Sequence, residues 1–168
     1  AGPELPGAEA EVRQLGRLYG TAEVLTGRKA TAANVLAALE GADLVHLAAH
    51  GSFRADSPLF SSVLLADGPL TVYDLERLKA VPEVVVLPAC DAAVAAVRAG
   101  DELLGTATAL LGLGVRTVIA PVTVVPDEAT ASLMVALHRR LRAGQRPAEA
   151  LAGAGPQSAF ICIGCDGS

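Results

Sequence analysis

The sequence predicts an α/β domain, a mostly parallel sheet with helices on both faces. Short apolar runs alternate along the chain with stretches of helical period, the rhythm of βα units. Three of those runs, "DLVHLAA" from residue 43, "EVVVLPA" from 83 and "VRTVIAP" from 115, are apolar on both faces, as central strands of a covered sheet must be. Turn and cap residues fall between the runs, where the chain has to reverse.

The elements follow in order. Residues 8–18 read as a helix and "AEVLTG" (22–27) as a short strand. Thr31 is an N-cap for the helix of "AANVLAALE", because its hydroxyl can accept from a free N–H of the first turn. "DLVHLAAH" (43–50) has strand length and lies between Gly41 and Gly51. "SSVLLADGPLT" reads as a hairpin turning at Asp67-Gly68, and Thr71 then caps "VYDLERLKA", with Asp74 and Glu76 near its start. After the strand of "EVVVLPA" come a helix over 101–114, the strand "VRTVIAPV", and a helix from Pro126-Asp127 to about Arg142. A short helix from Pro147 and a last strand, "AFICIG", close the chain. The sequence has no internal repeat and no low-complexity tract beyond an Ala/Gly bias.

Composition narrows the class. The 168 residues suit one domain, and 52% hydrophobic residues against 18% charged exclude a disordered chain. Aromatics are 3%, so the core must be Ala, Val and Leu. Net charge is −5, and the one basic group, Arg139, Arg140 and Arg142, suits the C-terminal end of a helix. Nucleic-acid and anionic-membrane partners are therefore not expected. No apolar run approaches the roughly 20 residues of a membrane span, and the first residues do not resemble a signal peptide. Three cysteines make no disulfide framework and point to a reducing, cytoplasmic setting. The chain starts at Ala1 without a methionine, which suggests a piece of a larger protein.

In an open parallel sheet the chemistry gathers at the carboxyl ends of the strands. One strand end delivers His50 followed by Gly51, another Cys90 followed by Asp91. If the two strands are neighbours, an imidazole and a thiol emerge at one edge, and a thiol beside a histidine can be deprotonated to the nucleophilic thiolate. Gly51 lets the backbone turn and bring its N–H near a reacting carbonyl. Blander readings stand beside this one: a lone Cys is commonly a small buried hydrophobe, and a lone His a structural residue. His46 and His50 would share a face only on a helix; on a strand they lie about 13 Å apart, too far to share an ion. His46 reads as a core or sheet-face histidine and His138 as an exposed helix residue. Cys162 and Cys165 form a C-x-x-C, half of a zinc site with no second pair, at a strand end where a redox motif would open a helix. The glycine-rich pieces match no phosphate loop, so neither metal nor cofactor is expected.

In sequence order, "HLAAHG", "PLFSSVLLADGPLT", "ACD" and "GDELLG" resemble the CHAT family, with similarity from about residue 8 to 151. These are caspase-like cysteine peptidase domains, related to separase, usually C-terminal to tetratricopeptide repeats. The resemblance implies a caspase-like (flavodoxin-like) fold, a nucleophile at Cys90 in Ala89-Cys90-Asp91, and His50 as its partner and proton donor to the leaving amine. Backbone N–H groups of Gly51 and Cys90 would hold the oxyanion. The substrate would be a protein, a peptide or the chain itself, under control of a repeat region outside this sequence. Where the family writes Ser-Gly after the aspartate this chain has Ala92-Ala93, and Pro88 stands where a serine is common. Two functions follow: a cysteine endopeptidase, or a catalytically weak caspase-like module used for protein contacts.

Overall fold

The computed structural model describes residues 1–3, 5, 7–52, 54, 56–88, 99–122, 127–155 and 159–164. Its centre is a four-stranded sheet of β1 (Leu44–His46), β5 (Val84–Val86), β6 (Thr117–Pro121) and β7 (Phe160–Gly164), in the order β1-β5-β6-β7. The pairs β1·β5 and β5·β6 are parallel, and β7 returns antiparallel to β6. A second sheet, β2 (Gly51–Ser52), β3 (Ser62–Leu65) and β4 (Gly68–Thr71), is antiparallel throughout. The helices are α1 (Ala8–Tyr19), α2 (Ala32–Leu39), α3 (Val72–Leu75), α4 (Ala99–Gly112), α5 (Asp127–Arg142) and α6 (Pro147–Gly153). None is long and apolar enough to cross a membrane, among the described residues.

Strand alternation sorts the core into two layers. Val86, Ile119 and Phe160 face Leu133, Met134 and Leu137 of α5 and Ala150 and Leu151 of α6. Val85, Val118 and Ala120 face the opposite way, onto Ala107 and Leu110 of α4. Every residue of β6 is buried, which is why "TVIAP" has no polar face. Helix α2 covers the small sheet through Val35 and Leu39 against Leu65 and Leu70. Each large aliphatic side chain so buried contributes roughly 1.5–3 kcal/mol.

Local signals explain the element ends. Asn34 N–H donates to Thr31 Oγ1 at 3.3 Å, the cap expected for α2. Thr71 and Asp74 form a reciprocal capping box at α3, with Asp74 N–H on Thr71 Oγ1 and Thr71 N–H on Asp74 Oδ2. Helix α3 stops at Leu75 rather than continuing to residue 80: the N–H groups of Glu76, Arg77 and Leu78 turn to carbonyls three residues back, and the Glu40 carboxylate takes those of Lys79 and Ala80 at 3.0 and 2.9 Å. The hairpin is present with Leu65 opposite Gly68, so its two-residue loop is Ala66-Asp67, one residue earlier than Asp67-Gly68.

Three expectations need correction. Residues 22–26 form no strand: the Leu25 carbonyl accepts from the Ala1 ammonium at 2.6 Å, and residues 21–25 line a cavity of about 460 Å³ together with β1. Strand β1 is consequently an edge of the four-stranded sheet, not a central strand, among the described residues. His138 is not an exposed helix residue: it is 1% exposed, where α5 packs on α1 and β1.

Candidate active site

The β1·β5 register fixes the geometry of the edge at which chemistry was expected. His46 stands opposite Val86 in a parallel pair, and the ladder runs one residue further, Leu47 N–H to Val86 O at 2.9 Å. Strand β5 likewise continues through Leu87 N–H to Ile119 O at 2.8 Å. His50 follows His46 by four residues, and Cys90 follows Val86 by the same four. The two strands thus head for the same sheet edge, each four residues short of its expected catalytic residue. Cys90, Asp91, Ala92 and Ala93 lie outside the described residues; Pro88, the last described residue before them, is buried.

The path to His50 is packed tightly. Ala48 and Ala49 are buried, and the N-terminal segment crosses them, with Gly2 N–H donating to Ala48 O at 2.8 Å. A Cβ at Gly2 would stand 2.8 Å from the Ala49 Cβ, so small residues on both sides allow the crossing. His50 itself is half-buried, with its Nδ1 atom inside the protein, and its carbonyl accepts from Leu64 N–H at 2.8 Å. That bond ties the histidine backbone to β3.

Gly51 is the first residue of β2 and stands opposite Val63. Because the preceding carbonyl bonds Leu64, Gly51 occupies a non-hydrogen-bonded position of the antiparallel pair, and its own N–H turns away from β3. Its φ is not in the left-handed region, so the expected turn does not require a glycine here. A Cβ at Gly51 would meet the Ser62 carbonyl at 3.9 Å, the nearest described atom, which is ordinary contact. What glycine supplies is open space beside the outward-turned N–H.

The remaining cysteines and histidines separate from this edge. Cys162 sits in β7 opposite Ile119, half-buried against the α5–α6 core, and Cys165 lies outside the described residues. Among the described residues, no three His, Cys, Asp or Glu side chains gather to hold a metal ion. His46 is a sheet-face histidine, as expected, its side chain 8% exposed, but its setting was missed. It stands between Glu11 of α1 and His138 of α5, at 2.7 and 3.0 Å. One sequence signal could have found this group. Glu11 falls on the same helical stripe as Ala8, Val12 and Leu15, a lone charge on a buried face.

No curated protein matches the chain. The model of the CHAT domain matches residues 1–157, nearly the whole sequence. With a mostly parallel sheet clothed by helices and the His-Gly step between β1 and β2, the chain belongs to the CHAT domain family, which is caspase-like and related to proteases.

Proposed function

We propose that this domain is a cysteine endopeptidase of caspase and separase type, acting on a protein or peptide through a His50–Cys90 dyad. The observation that supports the reading is the parallel register of β1 and β5: His46 stands opposite Val86, and His50 and Cys90 each follow that pair by four residues in the sequence. His50 takes the thiol proton, and the Cys90 sulfur attacks the substrate carbonyl. The oxyanion accepts from the N–H groups of Gly51 and Cys90, and the outward turn of the Gly51 N–H supports its part in this. The C–N bond breaks as His50 passes its proton to the leaving amine. Water, deprotonated by His50, then attacks the thioester and releases the acid and the thiol. We place the domain in a reducing compartment, and its control in a repeat region outside these residues.

The test is labelling by a peptidyl electrophile together with cleavage of a peptide library at neutral pH. Cys90 should label selectively, and Cys90→Ala and His50→Ala should each abolish cleavage while circular dichroism stays native. Labelling of Cys162 or Cys165 ahead of Cys90, with no cleavage, would favour the interaction module that Ala92-Ala93 and Pro88 suggest.

A further inference from the structure

Away from that edge, four polar side chains meet where α1 and α5 pack on β1. Glu11 and His138 are 8% and 1% exposed. His46 Nε2 lies 2.7 Å from Glu11 Oε1, and His46 Nδ1 lies 3.0 Å from His138 Nε2. The Tyr19 hydroxyl is 3.0 Å from His138 Nδ1 and 3.3 Å from the His138 carbonyl oxygen. The imidazole rings stand 4.9 Å apart at 65°, and Tyr19 meets His138 edge-on. The ionisable groups facing the pair are Glu11 and Tyr19 from α1; Arg142 of α5 adds its charge beside Tyr19.

Counting hydrogens along this chain gives two solutions. The Glu11 carboxylate can only accept, so His46 Nε2 carries a hydrogen. In a neutral His46, Nδ1 is then a lone pair, His138 must donate through Nε2, and His138 Nδ1 accepts the Tyr19 O–H. Every hydrogen bond points towards Glu11. Add one proton at His46 Nδ1, and each later bond reverses. His138 Nε2 becomes the acceptor, its hydrogen moves to Nδ1 and donates to the Tyr19 oxygen. The Tyr19 hydrogen turns to the His138 carbonyl, already within reach. Both solutions satisfy every donor without moving a heavy atom. A second proton is refused: burial, and then the charge of His46, hold His138 down to about 3.

We propose that Glu11, His46, His138 and Tyr19 form a one-proton switch, in which uptake of a single proton by the imidazole pair reverses the hydrogen-bond chain and moves the Tyr19 hydroxyl hydrogen from the His138 ring to its carbonyl. Tyr19 is the last residue of α1, so the proton state sets how that helix end is tied to α5. Tyr19, His46 and His138 also line the cavity beside β1, which exposes the switch to whatever enters it. The switch stands independently of the peptidase reading.

Nitrogen-15 NMR of the imidazoles, from pH 8 to 5, tests it on the intact chain. At pH 8 both His46 and His138 should be Nε2–H tautomers. Through the titration the pair should gain a single charge, while His138 stays neutral and changes to the Nδ1–H tautomer. Glu11→Gln should lower the proton affinity about tenfold, since it removes the facing charge. Tyr19→Phe, nearly the same shape, should lower it about threefold or more by leaving the new Nδ1–H without an acceptor. A His138 that keeps its Nε2–H, a His138 that itself becomes charged, or a midpoint that neither variant moves would overturn the proposal. So would unfolding before either imidazole titrates.

Discussion

Acid should weaken this fold through one residue, His138. Its folded pKa is pushed down to about 3 from 6.5, by burial first and the charge of His46 second. The sign follows from linkage: at pH 7 neither the native nor the unfolded state protonates this imidazole, so its full contribution to stability is present. Below the unfolded value the unfolded chain binds a proton that the native site refuses, and the contribution is lost progressively towards the folded value. Each pH unit in that window costs about 1.4 kcal/mol, so the fall from pH 7 to 5 costs about 2 kcal/mol. Against a domain stability of roughly 5–15 kcal/mol, that is a measurable share. Urea unfolding at pH 7, 6 and 5, followed by circular dichroism, would show it in a comparison with His138→Gln. The variant loses a ring that bonds His46 and Tyr19, and should start about 1–2 kcal/mol lower at pH 7. It lacks the titrating imidazole, so its curve should be flatter by about 2 kcal/mol and the two should converge near pH 5. Titrating groups other than His46, which is coupled to His138, are common to both proteins and cancel; repeating the comparison on a His46→Gln background removes that coupling. Parallel curves would refute the reasoning, since they would mean that His138 protonates equally in both states.

Two further substitutions test the packing that holds the sheet. Gly164→Ala places a Cβ 2.1 Å from the Arg116 carbonyl oxygen at a residue with φ +119°; thermal unfolding should show a loss of about 2 kcal/mol or more, because backbone must move and the conformation itself disfavours a side chain. Thr71→Ala removes the hydroxyl half of the α3 capping box, leaving the residue-71 N–H on Asp74 Oδ2, and should cost about 1 kcal/mol in urea unfolding at neutral pH, with no change in the far-ultraviolet spectrum beyond one turn of helix.

What could be read from the sequence is what neighbouring residues decide among themselves. Thr31 and Thr71 cap helices because their hydroxyls reach N–H groups three residues away, and that geometry is local. "TVIAP" announces a doubly covered strand because all five residues are buried. The parallel core and the antiparallel hairpin follow from such patterns. The failures are non-local. "AEVLT" has strand character, but a strand also needs a partner at ladder distance, and across from it lies a cavity. Beyond α3, the N–H groups of Lys79 and Ala80 go to Glu40, some forty residues earlier, instead of to a continuing helix. His138 was read by residue type rather than position, although 134, 137, 138 and 141 share one helical stripe and the first three of them are buried. Of the candidate site, the structure describes the histidine half: His50 just before β2 and Gly51 as its first residue. Cys90 lies outside the described residues, and its pairing with His50 is the proposal drawn from the β1·β5 register and the sequence spacing.

In the proposed dyad, that register makes β1 the strand on which the placing of His50 depends, and β1 is an edge strand. An interior strand is fixed by ladders on both sides, whereas β1 has one on the β5 side alone, among the described residues. Its other attachments are a side chain and a crossing segment. His46 reaches Glu11 on α1 and His138 on α5, and Gly2 bonds the Ala48 carbonyl just beyond the strand. A reacting group has to be placed to within about half an ångström, and His50 is only four residues from His46. The polar cluster therefore does for this edge what a neighbouring strand does elsewhere: it limits rotation of β1 about its single ladder. An apolar residue at position 46 could fill the volume, but it would give up both directional bonds. This accounts for a histidine in a run that is otherwise leucine, valine and alanine.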